Sequence, residues 1–199
     1  MPAAYASEEK RNVLVQSAKT LLHEQGFART TLADVADRAG VPLGNVYYYF
    51  KSKEAIAQAV IEAHEADLRT MFASWTAKYR DPRSRLVRLV RAPLDSRSIV
   101  QFGCPHGSLC QELEKLGAKT LLARAAARLL AAYLEFAEEQ FRSSGFRARE
   151  ARARATDLIA SLQGTMLLAH TTRSRELLAS QLKRVERWLD DCLPRRIPA

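Results

Sequence analysis

The 199-residue sequence predicts an all-α protein. Apolar side chains recur every three or four residues in almost every segment, which is the period of a helix that packs on one side. No segment alternates apolar and polar residues between tight-turn pairs, as strands do. With 47% hydrophobic residues and only 8 Gly and 7 Pro, the chain can fold around its own core. Disordered and collagen-like proteins are therefore excluded.

The first two helices are defined by their start and stop residues. Helix one runs from about Glu8 to Gln25, and Gly26 is its C-terminal stop. Thr31 lies three residues before Asp34, which is the spacing of a capping box and marks the start of helix two. Helix two ends at Gly40 after barely three turns.

A third short helix and a long fourth helix follow the Gly-Val-Pro turn. The third, from Leu43 to Phe50, carries three consecutive tyrosines and is too polar to be only core. Ser52 can cap the fourth, which begins at Lys53 and continues towards Trp75. Its length is typical of a connector, so we expect one domain at residues 1–52 and a second at residues 53–199.

The rest of the chain also has helical periodicity, without repeats or strand-like segments. Arg85, Arg88 and Arg91 recur every three residues on the next helix, a pattern more typical of a solvated face than of a binding patch. We predict an irregular joint at 103–107, and helices at 83–94, 108–116, 119–143, 148–172 and 174–193.

Charge and cysteine content indicate the compartment and the kind of partner. The net charge of +9 arises mainly outside residues 1–60, which hold 7 basic and 6 acidic residues. The general basicity therefore supplies long-range attraction to nucleic acid rather than placed contacts. Three cysteines cannot form a disulfide framework, so we expect a reducing, cytoplasmic environment. No secretory leader is predicted, and charged residues interrupt every apolar run, so we expect no membrane contact.

Two short helices joined by a tight Gly-containing turn form a helix-turn-helix arrangement, in which the second helix enters the major groove of DNA. The residues from Thr31 to Glu54, TLADVADRAGVPLGNVYYYFKSKE, resemble the DNA-binding segment of the TetR family of bacterial transcriptional regulators. The similarity covers about residues 8–55 without gaps. It implies a three-helix DNA-binding domain followed by a helical domain for effector binding and dimerisation. The expected partners are a double-stranded operator, a small-molecule effector and a second copy of the chain.

The resemblance also implies individual DNA contacts. Leu43 stands where the family often has lysine, so fewer phosphate bonds are expected there. The Asn45 amide can pair with adenine, although a helix cap is an equally good interpretation. The expected phosphate contacts are Thr31, Tyr47, Tyr48 and Lys53, and the expected base-edge positions are Pro42, Leu43, Gly44 and Asn45.

The segment GCPHGSL, residues 103–109, is similar to a motif in one branch of that family, where it precedes the sixth helix beside the effector cavity. Pro105 suits the first turn of a helix, which would place Cys104 at its N-cap, where the helix dipole lowers a thiol pKa. His106 and Cys110 would share one face of that helix. Three interpretations stay open: small buried hydrophobes, a reactive thiol sensor, or a metal site, for which the spacing is not a standard zinc pattern.

Further candidates are apolar and aromatic residues of the later helices. Each is also consistent with ordinary core packing, and His170 with a hydrogen-bonded core histidine. The complete set expected to bind or sense an effector is Phe72, Trp75, Phe102, Cys104, His106, Cys110, Tyr133, Phe136, Met166 and His170. The set expected at a dimer interface of four helices is Leu158, Leu162, Gly164, Leu178, Leu182, Val185 and Leu189.

The sequence therefore favours a DNA-binding repressor released by a small molecule, an electrophile or an oxidant. A DNA-binding protein without an effector is the first alternative. A cysteine-dependent enzyme is the second, but it needs a nucleophile, a base and an orienting group, and no third group is evident. We predict no cofactor, no metal and no catalytic residue.

Overall fold

The computed structural model describes residues 3–117 and 120–193, and every regular element in these ranges is helical. The ten α-helices are α1 (Ala3–Arg29), α2 (Leu32–Ala39), α3 (Leu43–Tyr49), α4 (Lys53–Lys78), α5 (Pro82–Arg91), α6 (Ser98–Phe102), α7 (Pro105–Glu114), α8 (Leu121–Ser143), α9 (Ala148–Thr171) and α10 (Arg175–Cys192), with a 3₁₀ helix at Ala92–Asp95. The predicted all-α fold is confirmed.

Two element boundaries differ from the prediction because of proline. The helix expected at 83–94 stops at Arg91 and continues as a 3₁₀ turn, since Pro93 has no amide hydrogen for an α-helical bond. Conversely, α7 begins at Pro105 rather than at residue 108, which agrees with the expectation that Pro105 occupies the first turn of a helix. The joint predicted at 103–107 is thereby reduced to two residues, and the five-residue α6 before it was not predicted.

The chain forms two compact units. The first contains the residues up to Asp67 together with Pro105–Leu129, so it extends beyond the domain boundary expected at residue 52. Its core is built where α1 packs against α2 and α7, and α2 against α3. Fully buried residues at this core are Leu14, Ala18, Val35, Val46 and Ile56.

The second unit contains residues 68–104 and the residues from Leu130 onwards. Here α9 packs against α10 and α6, and α5 packs against α10. Its core includes Leu86, Phe141, Leu158, Leu178 and Leu189, each with less than 2% of its surface exposed. Both α4 and α8 contribute residues to each unit.

None of the helices in the described ranges combines the length and the uninterrupted apolar run needed to cross a membrane.

Candidate functional site

Helix α2 is held by caps at both of its ends. At its start, the Thr31 hydroxyl accepts a hydrogen bond from the Asp34 amide at 3.1 Å, and the Thr31 amide donates to Asp34 Oδ2 at 2.8 Å. These bonds from Thr31 stabilise the carboxylate and lower the pKa of Asp34. At its end, Gly40 adopts a left-handed conformation with φ 66°. The predicted capping box is confirmed.

Helix α3 is anchored by one side and exposes the other. Val46 is fully buried, and Phe50, which ends the helix, is only 3% exposed. Tyr49 is half-buried and its hydroxyl lies 3.2 Å from the Ser7 hydroxyl. On the exposed side lie all of the base-edge candidates and both tyrosines expected at phosphates: Pro42, Leu43, Gly44, Asn45, Tyr47 and Tyr48.

The tyrosines at 47 and 48 are both accessible. Tyr47 is 48% exposed and Tyr48 is 72% exposed. Of the three consecutive tyrosines only Tyr49 is half-buried. Two adjacent phenol hydroxyls can therefore donate to a DNA backbone from one helix.

The ammonium group of Lys53 is hydrogen-bonded within the first unit. Its Nζ donates to the carbonyl oxygens of Phe27 at 2.7 Å and Ala28 at 3.0 Å, and it lies 4.4 Å from the centre of the Phe27 ring. An ammonium group has three donors, so two of them position the chain before α2. A phosphate contact by Lys53 would have to use the third.

A break in α1 lies beside this lysine. Gly26 has φ 83° and ψ 166°, a conformation that only glycine adopts readily. Glu112 of α7 accepts a hydrogen bond from the Ala28 amide at 3.3 Å. A Cβ built on Gly26 would lie 2.7 Å from Glu112 Oε2 and closer still to Oε1. A side chain at residue 26 would therefore force the Glu112 carboxylate to move from this position.

Two buried histidines connect α4 to α7 within the first unit. His64 Nδ1 and His106 Nε2 lie 3.0 Å apart, and the two rings pack edge to face. Burial lowers the pKa of His64 to about 2 and that of His106 to about 4, and the positive charges of Lys19 and His23 act in the same direction. The carboxylate of Asp67 opposes this effect only weakly at His106. Both rings are neutral at physiological pH.

We expect this pair to destabilise the fold in mild acid. An unfolded histidine binds a proton below about pH 6.5, whereas the buried rings resist protonation down to about pH 4. Unfolding therefore takes up protons as the pH falls through this window, and each histidine lowers the free energy of unfolding by about 1.4 kcal/mol per pH unit. Above pH 6.5 the histidines contribute no pH dependence.

Chemical denaturation between pH 7.5 and 4 would measure this slope. The variant His64→Gln/His106→Gln keeps polar side chains but cannot titrate. Carboxylates also titrate near the lower limit, so the difference between the two slopes isolates the histidines. Equal slopes for the two proteins would contradict the assignment.

An aromatic cluster lies in the second unit and contains four of the predicted effector residues. Phe72 stacks on Phe136 with ring centres 4.2 Å apart, and it packs edge to face against Trp75 and Tyr133 at 5.7 and 5.5 Å. Burial raises the pKa of the Tyr133 phenol, and the neighbouring Cys104 adds to this effect. Tyr133 and Cys104 are therefore close to each other.

The remaining effector candidates are divided between the units. Half-buried Cys104 lies in the second unit, where Gln163 Nε2 is 3.6 Å from its Sγ. His170 Nδ1 is 3.3 Å from the Val100 carbonyl oxygen. In the same unit Met166 is buried and Phe102 is half-buried.

His106 and Cys110 lie in the first unit, on α7. His106 bonds to His64, and the Cys110 Sγ donates to the Ala126 carbonyl at 3.0 Å. The structure therefore does not gather all ten candidates into one site within one unit. In the described ranges no three His, Cys, Asp or Glu side chains are grouped so that they could hold a metal ion.

The residues expected at a dimer interface mostly belong to the core of the single chain. Each of the six larger side chains is at most 9% exposed, so none offers a partner its apolar surface: Leu158, Leu162, Leu178, Leu182, Val185 and Leu189. Gly164 alone is exposed, and a Cβ built there has no neighbour within 4 Å. On the same side of α9, Leu167 and Leu168 are each more than half exposed.

The arginine row of α5 is paired within the second unit. Arg91 forms two bonds of 2.8 Å with the Glu186 carboxylate, and Arg88 lies 2.5 Å from Asp95. Arg85 donates to the Tyr79 carbonyl at 2.9 Å. These contacts favour the interpretation of a solvated face over that of an anion-binding patch.

Two protein-family models match the chain, one in its N-terminal part and one in its C-terminal part. A family model described as "Bacterial regulatory proteins, tetR family" matches residues 14–60. A second, described as "Transcriptional regulator LmrA/YxaF-like, C-terminal domain", matches residues 84–183, half of the chain.

Curated relatives are similar in their aligned parts. The probable regulator ArpR of Pseudomonas putida is 35% identical over 77 residues, which are 38% of this chain and 37% of that protein. The regulator BetI of Burkholderia ambifaria is 35% identical over 103 residues, 50% of this chain and 52% of that protein. The alignments thus span about half or less of these relatives.

Solved structures share the fold over nearly the full length. The reduced form of Escherichia coli NemR has a TM-score of 0.74 and 22% identity, covering 89% of this chain and 96% of that one. A regulator from Cytophaga hutchinsonii has a TM-score of 0.79 and 17% identity, covering 96% and 98%. At these identities the likeness establishes the fold alone.

Proposed function

Because the chain belongs to the TetR family of DNA-binding transcriptional regulators, we propose that it is a repressor that binds an inverted-repeat operator as a homodimer and that an effector releases it. The family consists of regulators rather than enzymes. One observation carries this proposal. The side chains of Leu43, Asn45, Tyr47 and Tyr48 on α3 are exposed to solvent instead of packing into the core. The protein then acts in the cytoplasm, where the chromosome lies.

The exposed side of α3 combines two kinds of contact. Tyr47 and Tyr48 supply hydroxyl donors for phosphates, while Leu43 and Asn45 lie at the start of the helix, where base edges are reached. The anchored side, through Val46 and Phe50, fixes the helix on its unit. A recognition helix needs both: one side that contacts DNA and another that packs against the rest of its domain.

Removing both exposed hydroxyls is expected to weaken DNA binding. For the variant Tyr47→Phe/Tyr48→Phe we expect an affinity about tenfold or more lower on every bound sequence, since each lost hydrogen bond costs about 1 kcal/mol. The salt dependence should stay the same, because neutral donors release no counterions. Fluorescence anisotropy with duplexes from the region upstream of the gene measures both quantities.

Tyr49→Phe is the matched control, because this hydroxyl contacts Ser7 rather than solvent. It should bind DNA like the unchanged protein. If the double variant binds as tightly as this control, the two tyrosines do not contact phosphates. If neither the unchanged protein nor the control binds any upstream duplex, the repressor function is in doubt.

We assign dimerisation to the exposed side of α9, defined here by Ser161, Gly164, Leu167 and Leu168. This surface takes the place of the buried leucines expected from the sequence. Gly164 allows close approach of a second helix, and the two leucines offer apolar area at its margin. Two copies joined there would present two α3 helices to an inverted repeat.

The effector is assigned to the second unit, at the aromatic cluster and Cys104. An apolar ligand could bind the rings reversibly, or an electrophile or oxidant could modify the thiol. Since α4 contributes residues to both units, it supports a mechanism in which the effector shifts α4 and changes the spacing of the two α3 helices.

Replacing Cys104 distinguishes these effectors. If the thiol is the sensor, mild peroxide or an alkylating electrophile should release the unchanged protein from DNA, and Cys104→Ser should abolish this response. Cys110→Ser and Cys192→Ser are matched controls that should retain it, because one thiol bonds to a carbonyl in the first unit and burial raises the pKa of the other. DNA binding that no reagent alters would favour a reversible apolar ligand.

A further inference from the structure

The exposed side of α3 has no group that reads guanine. In the major groove guanine is recognised mainly by Arg or Lys, which bond to its O6 and N7 acceptors. The helix reads LGNVYYY, without a single cation. Any charged reader would therefore have to come from the segments on either side of it.

The cations that flank α3 are already engaged within the unit. Arg38 pairs with the Glu24 carboxylate at 2.5 Å. Lys51 donates to the Tyr47 carbonyl at 2.7 Å. Lys53 donates to two carbonyls at the end of α1. Each of these cations is therefore held by a partner within the unit, and only its remaining donors could bond to a guanine, so none of the three is positioned in advance as a guanine reader.

Leu43 offers an apolar contact instead. It is the first residue of α3 and is 40% exposed, although leucine is normally buried. The major groove displays one apolar group, the 5-methyl of thymine. Leu43 and Tyr47 are four residues apart and share a face, so a phosphate bond from Tyr47 would hold the leucine against the groove.

Asn45 offers the complementary polar contact. Its side chain is exposed and its backbone amide is already bonded to the Pro42 carbonyl at 2.9 Å. A side-chain amide matches the N6 donor and N7 acceptor of adenine. Asn45 is two residues after Leu43, so the two side chains point in directions about 200° apart around the helix axis. They would therefore meet different base pairs. Gly44 lies between them and has no side chain, so it adds no bulk to this surface.

We propose that α3 reads A·T pairs: Leu43 contacts the 5-methyl of a thymine, Asn45 bonds to an adenine, and no guanine is required in the part of the half-site that α3 faces. These are side-chain contacts, and the backbone amides at the start of α3 play no part. The inference rests on the proposed function and specifies the kind of operator that the same site binds.

Selection from a pool of randomised duplexes, followed by atomic substitutions in the selected DNA, tests the proposal. Replacing the critical thymine by deoxyuridine removes one methyl group and should lower the affinity about fourfold. Replacing the critical adenine by 7-deazaadenine removes the N7 acceptor and should lower it about tenfold.

Each DNA change is paired with its protein variant. Leu43→Ala should bind the thymine and deoxyuridine duplexes equally, and Asn45→Ala should not distinguish adenine from 7-deazaadenine. Tyr49→Phe, on the anchored side of α3, should retain both effects. This pattern would establish which side chain meets which base.

Other outcomes would overturn the inference. One is a selected half-site in which 7-deazaguanine, rather than the two substitutions above, lowers the affinity. Another is a loss on deoxyuridine that persists in Leu43→Ala. Both leave DNA binding itself intact, so the proposed function would stand. A pool from which no duplex is enriched would overturn the proposed function and the inference together.

Discussion

Replacing Gly26 by alanine is expected to lower the free energy of unfolding by about 2 to 4 kcal/mol and to weaken DNA binding with it. The backbone at this residue has φ 83° and ψ 166°, a region that costs a residue with a Cβ about 1 to 3 kcal/mol. The new methyl group would also collide with the Glu112 carboxylate. Glutamate can move aside, but the Ala28 amide then loses its acceptor.

The segment affected leads directly into α2, so the strain should also reach the DNA-binding surface. Lys53 bonds to the carbonyls of Phe27 and Ala28, and Thr31 caps α2 three to four residues later. A displaced backbone at residue 28 would loosen both contacts. Urea denaturation and DNA anisotropy on the same variant measure the two effects.

The variant Gly40→Ala serves as a comparison that distinguishes the cost of backbone strain from the cost of the clash with Glu112. Gly40 also has positive φ, at 66°, but a Cβ there would have no neighbour within 4 Å. We expect a cost of about 1 kcal/mol from the left-handed conformation alone. In a Glu112→Ala background, Gly26→Ala should also cost less than in the unchanged protein. A cost at Gly26 no larger than at Gly40 would mean that Glu112 yields without penalty.

Local signals in the sequence were sufficient for most of the fold. The capping box at Thr31 and Asp34 was predicted and is present, because it depends on residues three apart. Gly26 was predicted to end α1; it interrupts the helical conformation, but α1 continues to Arg29. The five-residue α6 was not predicted, since it is too short to show a helical period.

Tertiary contacts were beyond the reach of the sequence. His64 and His106 are 42 positions apart, and nothing in either segment indicates that they form a hydrogen bond. Lys53 resembles a phosphate contact by its position in the motif, but its bonds to Phe27 and Ala28 depend on how α1 ends. Residues at a site can be named from a motif, whereas their partners within the fold require the structure.

The apolar stripes of α9 and α10 illustrate a different limit. A stripe such as Leu158 and Leu162 predicts that one face of the helix is covered, but not by what. In the structure it is covered by the chain's own core. On the exposed side of α9 only Gly164 was expected at the interface, because the exposed residues Ser161, Leu167 and Leu168 do not form an apolar stripe as regular as that of the buried leucines.

Replacing Gly164 by leucine is expected to separate the proposed dimer and to lower operator affinity about 100-fold or more. Within one chain a Cβ there would have no neighbour within 4 Å, and leucine favours a helix over glycine by nearly 1 kcal/mol. The single chain should therefore be as stable as before or slightly more so. Two helices that pack closely at Gly164 could no longer approach, and two DNA-binding units that act independently lose the gain of bivalent binding.

Analytical ultracentrifugation and anisotropy on the full inverted repeat measure the two consequences. The matched control is Ala127→Leu, which adds an exposed leucine to α8 in the first unit and should remain dimeric. On a single half-site Gly164→Leu should bind as well as the control, because α3 is untouched; the loss should appear only when two half-sites are joined. A Gly164→Leu protein that stays dimeric would show that the copies meet elsewhere, whereas a monomer with undiminished operator affinity would show that one chain suffices for DNA binding.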